Sequence, residues 1–362
     1  MYQLALPLLI GLIVVALCFD FLNGLHDAAN SIATVVGTRL ISPVWAVAFA
    51  AFFNFAAYFL ALRWPSLHNV ADTIGKGLIE KDVITPAVVF GALIGAMFWN
   101  VVTWIKGLPS SSSHALVGGI VGAGVAHAGF PSIQWVGLNK TLIAIVLSPL
   151  LGLILTMAIM LATSWLGARA TARGAERTFR GLHLVSSGTL SLSHGLNDAQ
   201  KTMGLITVLL YSTGYLHGKF AVPNWVALCC YVAMGLGTLT GGWRVIETLG
   251  TRITKLSQHQ GFSASAGASI MLFVASLLGI PVSTTHTVTG CVIGAGAARR
   301  ASAVRWGVAG DVAVAWIITI PASAIVAAIF YWLVSGMWLY VLIAAGLIAV
   351  LAYFARAWQV QS

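Results

Sequence analysis

GLPSSSSHALVGGIVGAG, residues 107–124, is matched by GIPVSTTHTVTGCVIGAG, residues 279–296, at an offset of 172. The alignment sets Pro109 against Pro281, His114 against His286, and four glycines against four. Upstream of each stretch, GLHDAAN (24–30) pairs with GLNDAQK (195–201) at an offset of 171; downstream, Pro149 pairs with Pro321 at 172. Markers that recur in one order at one spacing describe an internal duplication. Its join falls in the basic stretch 167–181, which holds Arg169, Arg173, Arg177 and Arg180.

The sequence around these markers is built for lipid. Of the 362 residues 59% are hydrophobic and 8% charged, and mean hydropathy is +0.93, whereas soluble domains carry roughly a quarter charged residues. Runs without Asp, Glu, Lys or Arg include 40–62, 83–105, 107–139, 141–168, 220–243, 256–298 and 312–355. One helical crossing needs about 20 apolar residues, so the last two runs hold two crossings each. An open sheet is excluded because lipid cannot satisfy free backbone groups, and a barrel would show short alternating segments. Residues 4–22 lack a basic leader and a small-residue cleavage site, and read as a retained first span. Cys18, Cys229, Cys230 and Cys291 lie in apolar runs without metal-ligand spacing and read as buried small hydrophobes.

The net charge of +10 does not point to nucleic acid, because the cations sit in short loops. Besides the arginines at the join, Arg244, Arg252 and Lys255 share one loop and Arg299, Arg300 and Arg305 another. Loops of this kind mark the cytoplasmic side, beside anionic lipid headgroups. Placing 167–181 inside sets Arg39, Lys106, 244–255 and 299–305 inside as well, and the N-terminus outside. Each copy then crosses an odd number of times, so the copies are inverted. The expected architecture is an all-α polytopic membrane protein of two inverted-topology repeats with interrupted or re-entrant helices and about 10–12 membrane segments. Its parts are residues 1–166 (first repeat), 167–181 (basic cytoplasmic linker), 182–334 (second repeat) and 335–362 (an additional C-terminal transmembrane helix).

Within this apolar frame the polar residues are few. Asp20, Asp27, Asp198 and Asp311 fall in or beside spans, where a carboxylate costs about 2.5–3.5 kcal/mol on insertion scales. Asp27 and Asp198 occupy the same slot of the two copies, which favours an ion or substrate role over capping. Asp27 and Asn30 share a helix face at i, i+3 and suit a small hard cation or a shared proton. In the second copy Lys201 stands where Asn30 stood. Its ammonium would supply permanently a charge that a bound ion supplies transiently, with a purely structural salt bridge as the alternative. We expect GLHDAAN to lie where a helix is interrupted at mid-membrane.

Ser110–Ser113 and Val282–Thr285 each follow Gly-x-Pro and precede a Gly-rich apolar helix. Helix N-termini expose N–H groups and partial positive charge, so two facing each other would hold an oxyanion. Simple capping with Gly-mediated packing is the alternative. His114 and His286, closing the two motifs, either relay protons or brace their hairpins.

Together these residues resemble the inorganic phosphate transporter (PiT) family, bacterial low-affinity phosphate symporter type, across essentially the whole chain. The resemblance rests on GLHDAAN, SHGLNDAQKTMGLI (193–206), GLPSSSSH, GGWRVIETLG (241–250) and GIPVSTTHT. It implies import of inorganic phosphate, alone or as a metal–phosphate complex, by symport with H⁺ or Na⁺, no further cofactor and no enzymatic activity. It also implies phosphate contacts from Ser111, Ser112, Ser113, Ser283, Thr284, Thr285, Asn197 and Lys201, and cation coupling, including a possible Na⁺ site, at Asp27, Asn30 and Asp198. His26, Gln200, His114 and His286 take supporting positions. A homodimer in a bacterial inner membrane completes the expectation. The short join departs from relatives with a long central insertion, and Lys201 departs from a symmetric pair of sodium sites.

Three rivals stay open at this level. Sulfate has nearly the shape of phosphate, but only hydrogen phosphate can donate to a carboxylate, which favours phosphate. An intramembrane serine hydrolase would exploit the Ser–His adjacency, yet Thr285 replaces a serine in the second copy. An anion channel would ignore cation gradients.

Overall fold

Prolines and hydroxyl side chains set the helix starts. In the computed structural model, which describes residues 4–64, 69–218, 220–336 and 346, α1 (Leu6–Gly37), α2 (Pro43–Arg63) and α4 (Pro86–Ile105) each carry proline in the first turn. Proline costs nothing there, since that turn's N–H has no intrahelical partner. α3 (Asn69–Lys76), α5 (Ser112–Ala128) and α6 (Trp135–Leu166) complete the first half. The second half contains α7 (Ala172–Ser212), α8 (Asn224–Thr240), α9 (Trp243–Glu247) with a π-helical turn at Thr248–Arg252, α10 (Gln258–Leu277), α11 (Thr284–Arg299) and α12 (Trp306–Val334). No strand occurs among the described residues beyond an isolated bridge, Ile79 to Ile133.

The element starts follow the sequence offset. α4 and α10 begin at Pro86 and Gln258, and α5 and α11 at Ser112 and Thr284, each 172 positions apart. The expected C-terminal transmembrane helix at 335–362 falls, apart from Ser335, Gly336 and Gly346, outside the described residues. Helix α7 starts at Ala172, so the non-helical part of the 167–181 stretch is only Gly167–Thr171.

Among the described residues, six helices (α1, α2, α4, α6, α10 and α12) are long and apolar enough to cross a membrane. The pair α8 and α9, bent by 70° at Gly241–Gly242, makes a seventh if it is one broken span. The chain is therefore a multi-pass membrane protein. α5 and α11, of 17 and 16 residues, reach only about 24–26 Å at 1.5 Å per residue, short of a hydrocarbon core of about 30 Å.

One expectation is corrected. GLHDAAN and GLNDAQK do not sit at helix breaks: α1 runs unbroken for 32 residues and α7 for 41. The polar side chains find partners sideways on neighbouring helices, so the backbone has no need to open. The breaks fall instead before α5, before α11 and between α8 and α9.

The two long helices that end the halves are exchanged. α12 packs against α4 and α5, and α6 against α10 and α11. Small residues permit the contact, as in lipid-embedded helix pairs generally. A Cβ at Gly118 or Gly122 would lie 2.5 Å from the Ile320 carbonyl or 2.2 Å from that of Ala324. In the second half, Gly290 and Gly294 meet the Pro149 and Leu153 carbonyls in the same way. The outer faces of α6 and α12 expose Ile143, Val146, Ile154, Ile317, Ile325 and Trp332, the side chains that lipid would cover.

Candidate functional site

The two polar motifs of each half meet at the centre of the bundle. Gly107 and Gly279, at φ 63° and 65°, turn the chain after α4 and α10, a left-handed conformation that glycine adopts without a Cβ clash. The chain then enters α5 and α11 through Ser111 and Ser283, whose Oγ atoms accept from the N–H groups of His114 (3.2 Å) and His286 (3.1 Å). These two serines are helix caps. The next residues, Ser112, Ser113, Thr284 and Thr285, present their hydroxyls to α1 and α7.

Asp27, on α1, is held from both halves. Ser112 donates to its Oδ2 at 2.7 Å and Thr285 to its Oδ1 at 3.3 Å. His26 Nδ1 lies 2.9 Å from the same Oδ1, while His26 Nε2 meets Thr103 Oγ1 at 3.1 Å. Asn30, one turn on, donates to Thr284 (3.2 Å) and Thr285 (3.0 Å), and its own Oδ1 has no hydrogen-bond partner.

Asp198, on α7, accepts from Thr284 at 3.0 Å through Oδ2 and from Lys201 Nζ through Oδ1. The Lys201 ammonium also donates to Ser113 Oγ and, at 3.2 Å, to the Val282 carbonyl. Lys201 is 1% exposed and Asp198 fully enclosed. A lysine so deeply placed is retained only where its charge is compensated, and here it bridges both short-helix entrances to the carboxylate.

His194 precedes Asp198 by one helical turn. Its Nδ1 lies 3.2 Å from Asn54 Oδ1, and Asn54 Nδ2 donates to Thr238 at 3.0 Å, so the amide is oriented to receive the Nδ1 proton. Nε2 lies 3.2 Å from Asp198 Oδ2, where a second ring proton would pair with the carboxylate. Ligand atoms of Asp27, His194 and Asp198 lie within 4.8 Å of one another. Two carboxylates converge there beside an imidazole, with one ammonium, Lys201, on Asp198, and a proton or a small cation would balance the remaining negative charge. The unpartnered amide oxygen of Asn30, whose nitrogen donates to Thr284 and Thr285, adds a hard donor of the kind that alkali cations take.

Three expected supporting residues are placed differently. Gln200 faces α3: its Oε1 accepts from Val70 N (3.2 Å) and its Nε2 donates to the Leu196 carbonyl (2.5 Å). His114 and His286 touch each other edge to face with centroids 4.5 Å apart, and His286 stacks on Trp316 at 3.8 Å. Neither ring bonds a serine hydroxyl, so neither imidazole activates a serine, and the Ser–His adjacency builds no nucleophile pair. Asn197 donates to Ser276 at 3.3 Å. Sequence reasoning missed Asn23, whose Oδ1 accepts from Ser112 at 2.6 Å, as well as His194 and Thr103. The amide of Asn100 is buried without a partner. Asn23 and His194 each precede the key aspartate by four residues, and that spacing was the available signal.

Known proteins share both sequence and fold. A model of the phosphate transporter family matches residues 23–327. A Rhizobium meliloti (strain 1021) protein described as a "probable low-affinity inorganic phosphate transporter" is 58% identical over 328 residues, covering 91% of this chain and 97% of that one. A Bacillus subtilis (strain 168) protein of the same description is 37% identical over 335 residues, covering 92% and 99%. A solved structure titled "The sodium-dependent phosphate transporter" superposes with a TM-score of 0.79 at 26% identity, over 91% of this chain and 99% of that one.

Proposed function

The chain belongs to the phosphate transporter family, and from that premise we propose that it imports inorganic phosphate by symport with a cation, H⁺ or Na⁺. The observation that carries the coupling is the convergence of Asp27, Asp198 and His194 directly behind the hydroxyls of Ser112, Thr284 and Thr285. Phosphate at the entrances of α5 and α11 would take hydrogen bonds from Ser113, Thr284, Thr285 and the Lys201 ammonium, with helix N–H groups behind them. The coupling cation would lie on the carboxylate side, held by Asp27 and Asp198 with His194 and the free oxygen of Asn30.

In this reading the two halves form inverted repeats, at 1–166 and 182–334, and each contributes one short helix and one aspartate. Lys201 fills the second copy's cation position, so the half-sites bind unequal numbers of ions. The bound Asp carboxylates also favour hydrogen phosphate, which can donate to them, over sulfate. Homodimerisation and transport of a metal–phosphate complex belong to the same proposal.

The test is radiolabelled phosphate uptake into proteoliposomes under a Na⁺ gradient or a pH gradient, with sulfate as competitor. Asp27→Asn and Asp198→Asn should abolish uptake under whichever gradient drives it. Uptake that ignores both gradients, or equal competition by sulfate, refutes the phosphate-symporter reading.

A further inference from the structure

A charged cavity lies outside the central site. It measures ≈ 320 Å³ and is lined by Lys106, Gly107, Leu108, Thr248, Arg252, Arg305, Val308, Asp311 and Val312. That is room for about ten waters at roughly 30 Å³ each, or a tetrahedral oxyanion with part of its hydration. Only Pro109 and Ser110 separate Leu108 on its wall from Ser111 at the α5 entrance. Thr248 fastens the wall by donating to the Gly107 carbonyl at 2.8 Å.

The other half of the protein supplies an internal control. Thr73 donates to the Gly279 carbonyl, also at 2.8 Å, so the backbone device is built twice. The charges are not. Where the first cavity has Lys106, an offset of 172 puts Leu278; where it has Arg305 and Asp311, the 171-residue register of the α12 and α6 starts puts Gln134 and Lys140; and where it has Arg252, the 175-residue register of Thr248 and Thr73 puts Gly77. Among the described residues, Lys106, Arg305 and Asp311 make no ion pair, while Arg252 reaches Glu247 at 3.5 Å on the surface. Cation-rich loops alone would meet the topology requirement. They would not require a carboxylate set among three cations around one hollow.

We propose that this cavity is a second oxyanion site, a cytoplasmic vestibule that holds hydrogen phosphate between the central site and the cell interior. This rests on the phosphate-symport reading above. Lys106, Arg252 and Arg305 take the anionic oxygens, and Asp311 accepts the P–OH proton. That acceptor selects the ligand: sulfate at neutral pH and the phosphodiester of a lipid headgroup have no such proton to give, and each would face Asp311 as a like charge.

The test compares the two faces of the full-length protein, using right-side-out and inside-out membrane vesicles and radiolabelled phosphate. Lys106→Leu with Arg305→Gln gives the first copy the residues that the second copy already carries. Half-saturating phosphate at the cytoplasmic face should rise about fivefold to tenfold, the effect of removing two exposed charge contacts, and stay within about twofold at the external face. Asp311→Asn should let sulfate compete more strongly at the cytoplasmic face alone. Equal shifts at both faces, no shift at either, or unchanged sulfate competition overturns the proposal. So does a shift that vanishes in proteoliposomes lacking anionic phospholipid, which would assign the cavity to headgroups. A wild-type protein that moves no phosphate refutes the symport reading and this one together; normal wild-type transport with unshifted variants refutes this one alone.

Discussion

Lys201→Asn rewrites the second copy as Asp-x-x-Asn, the pattern that Asp27 and Asn30 form in the first. In the wild type the Lys201 ammonium contacts Asp198, Ser113 and the Val282 carbonyl, all buried. Removing one partner of a buried ion pair costs about 3–5 kcal/mol, because the remaining charge is stranded. Against a total stability of about 5–15 kcal/mol, the variant still folds but melts early. At about 1.4 kcal/mol per tenfold, its uptake at low sodium should fall roughly 100-fold to several thousand-fold. The new amide oxygen beside Asp198 recreates a cation site, so sodium should restore what the ammonium supplied. Saturation at about 100 times the dissociation constant returns roughly 2.7 kcal/mol. We therefore expect Lys201→Asn to gain a sodium requirement in both phosphate uptake and melting temperature, and to move one more cation per phosphate than the wild type. Lys201→Met, similar in length but without a donor oxygen, should lose uptake and not recover. Titrating Na⁺ at fixed pH in proteoliposomes decides the matter. Uptake by Lys201→Asn within about threefold of wild type at low sodium, or equal recovery of the Met variant, would refute the idea that the lysine stands in for an ion.

Gly122→Ala places a methyl 2.2 Å from the Ala324 carbonyl and 2.5 Å from its Cα, which forces α5 off α12. Overpacking of this kind costs about 1–3 kcal/mol and should lower the melting temperature, while Gly181→Ala, with nothing within 4 Å, should not. His114→Phe keeps the ring contact with His286 at the expense of two unpaired nitrogens. It should retain uptake under a pH gradient to within severalfold, whereas a proton relay through His114 would be lost. Residues 1–166 and 167–362 expressed as separate chains should each be degraded alone and restore uptake when co-expressed, measured by membrane abundance and phosphate accumulation.

The clustering at the centre was legible because its parts occur twice. Asp27 and Asp198 stand 171 residues apart and the serine and threonine entrances to α5 and α11 stand 172 apart, and their side chains meet in the fold. What was not legible follows from helix geometry. Gln200 lies two residues beyond Asp198, about 200° around the helix, and so faces α3 rather than the site. His194, four residues before Asp198, faces the site directly, but its counterpart in the first copy is Asn23, and the change of chemistry hid the shared position. The expected interruption at GLHDAAN treated polarity as a demand on the backbone. In the folded protein that demand is met by side chains such as Ser112 and Thr285, which reach Asp27 across helices. Thr103 comes from the apolar run 83–105, where nothing in one dimension distinguishes a site-facing hydroxyl from a packing one.

The charges at the site supply a physical reason for coupling. Asp27 and Asp198 bring two negative charges and Lys201 one positive, all within the buried network. A hydrogen phosphate dianion added to that set would leave three uncompensated negative charges in a low-dielectric interior, which is prohibitive. The anion is admitted only with additional positive charge, whether sodium at the Asp27 and Asn30 oxygens or protons on His194, His26 or the phosphate itself. Each half also depends on the other for its partners: Thr285 reaches Asp27, Asn30 reaches Thr284, and Lys201 reaches Ser113. Moving one half relative to the other therefore breaks the carboxylate contacts and the hydroxyl contacts in the same step. Ion and anion sites joined by the same side chains would be filled and emptied together, and that shared wiring is the physical basis of the symport proposed above.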